Sequence, residues 1–316
     1  MTQREVPEAP RLGFVGLGHI GSGVCANLLA DGHDVTVFDL DAARVDAMVS
    51  AGAHAAGSVA EVAAAAAWTF VSVPSPEDME SVAEEWLEAA LAGDDAVTGD
   101  KVLVDLTTNA PSMVRTVGGR LADAGASLVE APVTGGAPGA RNRMLVFIVG
   151  GDDASVERVR PLLDSLGRAV CHLGPLGSGN IGKLFNSLMA FTTMWVTLEG
   201  LALAAKQDVD LRALVDMVRT SGGATPYVDR RVDEISQRGR APEFTLDLAA
   251  KDAGLMLDAG RQVGAPMPVA SALHQMLTFA RAQGLGGHDI SDLVEVAERA
   301  AQVELVLRPP DVPPAG

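Results

Sequence analysis

The stretch that decides the fold is Arg11-Leu12-Gly13-Phe14-Val15-Gly16-Leu17-Gly18-His19-Ile20-Gly21. A short apolar run ends in G-x-G-x-x-G, and the Ala/Leu-rich stretch Ile20–Ala30 follows it. The run reads as a buried strand and the stretch after it as a helix. In that setting each glycine has a physical reason. Gly16 permits the tight turn, and Gly18 lets backbone N–H groups approach a pyrophosphate. Gly21 lets the helix pack closely on the sheet, with the phosphate at its positive N-terminal end. His19 and Ile20 lie in the same turn. A second strand ends at Asp39, 18 residues past Gly21, close to the spacing of about 20 for an acid that accepts hydrogen bonds from the adenosine ribose. An acid there repels a 2′-phosphate, which favours NAD over NADP. Asp41 adds a second negative charge, and Arg44 is the nearest cation. The competing role for Asp39 is a cap on a helix starting near Ala42.

Outward from this turn the chain alternates. RLGFVG, DVTVFD, WTFVSV, KVLVDL, ASLVEA and MLVFIVGG read as buried strands, with helical periodicity between them, as in Pro76–Ala92 and Asp152–Leu166. Strand, helix, strand repeated in this way predicts a mostly parallel sheet covered on both faces. After Gly174 the strand signals stop. Asn180–Gln207, Leu211–Thr220, Val228–Gln237, Thr245–Val263, Met267–Gln283 and Ile290–Leu305 all read as helices, separated by helix-ending SGGATP, RGRAP, GAPMP and GLGG. The expected fold is therefore α/β: a Rossmann dinucleotide-binding domain over residues 11–174, then an all-α domain over 175–306. The Pro-rich ends, 1–10 and 307–316, read as disordered tails.

Composition excludes several classes. Lys+Arg 24 against Asp+Glu 41 gives a net charge of −17, a surface that repels nucleic acid and anionic membranes. No uninterrupted apolar run reaches the ~18 residues of a membrane span; the longest, Val62–Val73, stops at Pro74. MTQREVPEAP lacks the apolar core of a secretory signal. Cys25 and Cys171 make no disulfide framework, and neither they nor the six histidines show metal-ligand spacing. The expectation is a cytoplasmic protein without a metal.

A cofactor domain does not name the chemistry. Two further segments carry it. In Glu130-Ala131-Pro132-Val133-Thr134-Gly135-Gly136, consecutive backbone N–H groups beside a hydroxyl form a cradle suited to a carboxylate. In Gly174–Asn186, a G-x-x-G-x-G run opens a long helix bearing Lys183 and Asn186, whose i, i+3 spacing puts both on one face. A lysine and an amide side by side can hold and protonate a substrate oxygen.

From Arg11 to Leu305 the chain resembles the β-hydroxyacid dehydrogenase family, which includes 3-hydroxyisobutyrate dehydrogenase and tartronate semialdehyde reductase. The resemblance rests on six motifs in order: GFVGLGHIGSGVCANLLADGH, VSVPSPEDM, DLTTNAP, APVTGG, GPLGSGNIGKLFN and FTLDLAAKD. It implies that the backbone at His19 and Ile20 meets the pyrophosphate, Asp39 the ribose, Val73 and Pro74 the cofactor's border, and Thr108 the nicotinamide end. Thr134, Gly135 and Gly136 would bind the substrate carboxylate, with Asn186 beside it and Lys183 as the catalytic lysine. Lys251 would reach back toward the cofactor; its other reading is a surface residue paired with an acid. The family commonly has Asp where Glu130 stands, Ser where Thr134 stands and often Gly where Arg143 stands. Arg143 is then either a changed turn or an added positive charge near the pocket mouth.

The resemblance implies reversible hydride transfer between a nicotinamide and the carbinol carbon of a small β-hydroxy acid, with Lys183 moving the hydroxyl proton. A free lysine titrates at about 10.4, and burial beside a positive nicotinamide should lower it. The rival readings are an imine reductase-like NADPH enzyme and a non-catalytic dinucleotide-binding module. Imine reductases usually carry an acid or a tyrosine where Lys183 stands. The expected partners are a small anionic substrate and further copies of the chain, as a homodimer or homotetramer.

Overall fold

Strands β1 (Leu12–Val15), β2 (Val35–Phe38), β3 (His54–Ala55), β4 (Trp68–Val71), β5 (Val102–Asp105) and β6 (Ser127–Glu130) form one sheet in the computed structural model. Residues 10–91, 101–225, 228, 232, 235 and 241–307 are described. The strand order is β3-β2-β1-β4-β5-β6, every pair parallel. This is the doubly wound order, whose reversal between β1 and β4 opens a crevice at the carboxyl ends of the strands. Helices α1 (His19–Ala30), α2 (Ala42–Ser50), α3 (Val59–Ala65), α4 (Pro76–Leu91) and α5 (Pro111–Asp123) lie along the same stretch of chain. Because side chains alternate along a strand, Phe14 enters one core cluster with Leu28 and Val37, while Val15 enters another with Val62 and Met79. Phe14 stacks on Phe70 at 5.8 Å, and the buried indole of Trp86 donates to Thr69 Oγ1 at 2.9 Å.

MLVFIVGG is not a strand of that sheet. Its strand, β8 (Leu145–Val149), is the centre of a second sheet, with β7 (Val133–Thr134) antiparallel on one side and β9 (Gly167–His172) parallel on the other. The short helix α6 (Gly136–Arg141) makes the return between β7 and β8, too few residues for a parallel crossover. Strand β9, GRAVCH, escapes a sequence reading because it is an edge with Arg168 and Cys171 exposed. An isolated bridge, Glu130 with Gly150, ties β6 to the end of β8. Helix α7 (Asp153–Leu166) starts one residue later than expected because Asp152 is its cap, accepting from Ser155 N–H.

The chain divides into two compact units, Met1–Leu184 and Phe185–Gly316, and the boundary falls inside α8 (Ser178–Lys206). Within the second unit, α8 continues and is followed by α9 (Leu211–Arg219) and by helices Leu246–Val263, Pro268–Ala280 and Leu293–Ala301. Their core includes Phe191, Leu198, Leu246, Leu277 and Leu293, and extends to Leu305 and Leu307. The helix expected over Met267–Gln283 runs regularly to Ala280 and passes into a π-turn, Arg281–Leu285, that kinks at the left-handed Gly284. The one expected over Ile290–Leu305 opens with a 3-10 turn and ends at Gln302, itself left-handed. The helix expected over Val228–Gln237 and the two tails lie largely outside the described residues. Among the described residues α8 is the helix long and apolar enough to cross a membrane, with mean hydropathy 1.5 and a third of that stretch buried; the central helix of a soluble core passes the same test.

Candidate active site

The first glycine turn is open where a ligand would need it. Gly16 has φ +88°, and a Cβ there would fall on the Ser72 carbonyl at the end of β4. A Cβ on Gly21 would fall on the Gly16 carbonyl, so helix and turn touch backbone to backbone. At Gly18 nothing lies within 4 Å, and no side chain caps α1. An uncapped helix N-terminus behind an open glycine suits a pyrophosphate. Beside it lies a cavity of about 250 Å³, lined by residues that include Leu17, His19, Ser22, Arg44 and Met48. The exposed His19 and half-buried Ile20 stand at the helix start.

Asp39 holds this turn as well as facing it. Its Oδ2 accepts from Leu17 N–H at 2.6 Å, and its Oδ1 from Asp41 N–H at 2.8 Å. The cap on α2 is Asp41, not Asp39: Asp41 accepts from Ala43 N–H at 3.0 Å. Arg44 stands 3.6 Å from Asp39 and 3.4 Å from Asp41, so two carboxylates share its charge. After β4, the half-buried Val73 donates its N–H to Thr107 Oγ1 at 3.2 Å, while Pro74 is exposed and Thr108 half-buried. These residues fit a dinucleotide.

Thr134 ends β7, and Gly135 and Gly136 follow with φ +124° and +65°. That backbone is open to few residues other than glycine. Arg143 sits at the left-handed φ +57°. Its guanidinium grips the C-terminal end of α1: bidentate to Asp31 at 2.7 and 2.9 Å, with further bonds to the carbonyls of Asn27 and Ser165. Those bonds hold the Asp31 carboxyl below its usual range. Arg143 is thus a clip in a changed turn, not a charge at a pocket mouth.

The second glycine run opens α8 against a buried polar network. Glu130, at the end of β6, is fully buried. Its Oε1 accepts from Gly177 N–H at 2.5 Å and Gly179 N–H at 2.9 Å; its Oε2 accepts from Asn180 N–H at 3.1 Å and from Asn180 Nδ2 at 2.5 Å. Asn180 Oδ1 in turn accepts from Asn109 N–H at 2.7 Å, and Asn109 Nδ2 donates to Asp105 Oδ2 at 2.6 Å. Asp105 also accepts from Thr107 N–H, and burial pushes its carboxyl up to about 7. Burial raises Glu130 too, against the bonds it accepts. Asn109 Oδ1 is buried with no hydrogen-bond partner. The sequence motifs contain Asp105, Thr107, Asn109 and Asn180 without giving any of them a role, and mark Glu130 as the first residue of the cradle segment and a departure from the family pattern. The available signal was the run D-L-T-T-N, polar but for Leu106, starting at the last residue of an otherwise apolar strand.

Lys183 stands on α8 three residues after Asn180, half-buried; Asn186, half-buried on the same helix, belongs to the second unit. So does Lys251, whose Nζ lies 3.4 Å from Asp252 Oδ1, a carboxylate buried beside Ser187. The indole of Trp195 donates to Glu199 at 2.6 Å while its ring packs on the helical core.

Residues 11–174 match the family model described as the NAD-binding domain of 6-phosphogluconate dehydrogenase. Residues 177–297 match that described as NAD-binding of NADP-dependent 3-hydroxyisobutyrate dehydrogenase. The chain is 32% identical to the 2-(hydroxymethyl)glutarate dehydrogenase of Eubacterium barkeri, covering 93% of this chain and 97% of that one. It is 33% identical to the 3-hydroxyisobutyrate dehydrogenase of Pseudomonas aeruginosa, covering 90% and 96%. The structure of Mycobacterium tuberculosis 3-hydroxyisobutyrate dehydrogenase with L-serine matches with a TM-score of 0.83 at 26% identity, over 92% of this chain and 99% of that one.

Proposed function

The chain belongs to the β-hydroxyacid dehydrogenase family, and from that premise we propose that Lys183 is the acid and base of its reaction. The protein is an NAD-binding oxidoreductase acting on a β-hydroxy acid. The observation that carries the lysine's role is its place: one turn inside the glycine-opened helix whose start is bonded to the carboxyl ends of β5 and β6. Parallel-sheet enzymes bind their ligands beyond that edge.

The turn from Gly16 to Gly21, with Asp39, would hold the dinucleotide, bordered by Val73, Pro74 and Thr108. When bound, NAD supplies the hydride acceptor. In oxidation the neutral Lys183 amine takes the substrate hydroxyl proton and becomes an ammonium. In reduction that ammonium returns the proton to the forming alkoxide. Thr134, Gly135 and Gly136 hold the carboxylate.

The names of the relatives narrow the substrate class. 3-Hydroxyisobutyrate, 2-(hydroxymethyl)glutarate and L-serine share one skeleton, a primary alcohol two carbons from a carboxylate, and differ in the substituent between. We propose that skeleton as this chain's substrate. Exposed Phe185, Met189, Val196 and Leu203 along α8 support a homo-oligomer.

The test is to mix the protein with NAD and a panel of such acids and follow reduced-cofactor absorbance. Turnover on at least one is expected, and NAD binding without turnover on any would favour a non-catalytic module. Lys183→Met should leave NAD affinity and folding intact while kcat collapses. Retention of more than about a tenth of kcat, roughly 1.4 kcal/mol of barrier, rules out the assigned role.

A further inference from the structure

We propose that Glu130 is a positioning residue: its carboxylate fixes the first turn of α8 and thereby the place of Lys183. The inference rests on the reading of Lys183 given above and adds a residue to it.

A helix leaves its first N–H groups without partners inside the helix, and buried ones must find acceptors elsewhere. At the start of α8 every such donor has a partner. Ser178 N–H donates to the Pro175 carbonyl at 3.1 Å, and Ile181 N–H to the Gly177 carbonyl at 3.1 Å, the first regular helical bond. The donors between and before them, Gly177, Gly179 and Asn180, all go to Glu130. The Asn180 side chain adds a fourth bond. One carboxylate from a different strand therefore takes three of these N–H groups, and only that of Ser178 goes elsewhere.

The surroundings keep that carboxylate in place. A Cβ on Gly150 would fall on Glu130 Oε1, and one on Gly179 would stand 3.1 Å from Glu130 Cδ. The side chain thus lies against the glycine backbone at the end of β8 and at the start of the helix. All four partners are donors, so the geometry serves the ionised form; a carboxyl proton would point into an N–H group. The charge also sits at the positive end of the helix, where it is favoured. Asn180 relays the constraint to Asn109 and Asp105, so the ends of β5, β6 and α8 share one bonded network. Lys183 follows Asn180 by three residues, about 4.5 Å along the axis. Wherever the first turn goes, the amine goes with it.

Glutamine keeps the shape of Glu130 and breaks this logic. Its oxygen can serve Gly177 and Gly179, but its NH₂ then faces the N–H and NH₂ of Asn180. Flipping the Asn180 amide relieves one clash and turns its NH₂ onto the Asn109 N–H. No arrangement satisfies all donors.

The test is Glu130→Gln in the full-length protein, read by hydrogen–deuterium exchange over residues 175–185, by NAD affinity and by steady-state rates. Expected are exchange of these amides faster by about tenfold, NAD affinity within roughly threefold of the parent, and kcat lower by about tenfold with little change in KM. NAD affinity and kcat falling in step would mark a general scaffold role and overturn the proposal. So would unaltered exchange, or a kcat within roughly twofold of the parent. If the glutamine variant does not fold, Glu130→Asp serves, since it keeps the charge and shortens the reach; its kcat and exchange should both change in the same sense, and unchanged values overturn the proposal. The lysine reading is tested apart from this. Lys183→Met retaining its rate would sink that reading, while the exchange data would still decide whether Glu130 anchors the helix.

Discussion

The helices α1 and α8 both open on glycine runs, and the runs end in opposite ways. At α1 the turn Gly16–Gly21 leaves an uncapped N-terminus with nothing within 4 Å of where a Gly18 Cβ would stand. At α8 the run Gly174–Gly179 closes on Glu130, which takes up the exposed donors with a carboxylate from the protein's own sheet. The electrostatics are the same in both, an anion at the positive end of a helix. One helix keeps its place for an anion from outside, and the other is filled from within. A glycine-rich helix opening therefore announces an anion site without saying whose anion it is.

The sharpest way to break this contrast is one substitution in each run. Gly179→Ala puts a Cβ 2.6 Å from the Ile148 carbonyl oxygen and 2.9 Å from Gly150 N, both backbone. It should cost about 3 kcal/mol of stability, seen as a lower denaturation midpoint with or without NAD. Gly18→Ala has free space and an ordinary φ of −65°. It should cost less than about 1 kcal/mol of stability, yet weaken NAD about tenfold by calorimetry, because the methyl occupies the pyrophosphate's approach. If both variants lost stability equally, the difference between an open and a filled helix end would be lost.

The filled end should also show itself in the pH dependence of stability. Asp105, two amides away from Glu130, has its carboxyl raised to about 7 by burial, while in the unfolded chain it titrates near ~3.9. Between these values the folded state holds the proton the unfolded state has lost, so this group's contribution falls as pH rises through the window and is flat above about 7. Asp105→Asn removes that titration. Its amide can donate to Asn109 Oδ1 once the Asn109 amide flips, giving that buried oxygen the partner it lacks. The parent should gain melting temperature relative to this variant as pH falls from about 8 to 5. A constant difference across that range would deny Asp105 its raised pKa.

The smallest effect concerns the far end of α1. Arg143→Ala loses a partly exposed ion pair worth up to about 1 kcal/mol. Arg143→Gly loses the same pair but relieves a left-handed backbone that costs a side-chain-bearing residue roughly 1–2 kcal/mol. The glycine variant should therefore melt above the alanine variant, with kcat unchanged in both. A fall in kcat would return Arg143 to the substrate pocket.

Much of this was legible in the sequence because it depends on local rules. The strand, glycine turn and acid of Leu12–Asp39 fix one another at short range, and β1, α1 and β2 lie where periodicity puts them. β9 was not legible, since an edge strand carrying Arg168 and Cys171 lacks the apolar signature. Nor was the second sheet: MLVFIVGG looks like the other buried strands, and only its partners, β7 and β9, set it apart. In the candidate site, the lysine and the glycines were visible as motifs. The bonding role of Glu130 was not visible, because its partners lie 47 to 50 positions away.

The sequence by itself determined the α/β order, the dinucleotide turn and the place of a lysine on a glycine-opened helix, for these follow from periodicity and from what single residue types allow. Only the tertiary structure decided that Asp41 caps α2, that Arg143 clips α1, and that a strand-end carboxylate fills the start of α8. Each of those depends on which donor meets which acceptor across a distance in sequence. Hydrogen bonds over that range are chosen by packing, because buried donors must be satisfied by whatever acceptor the fold brings to them.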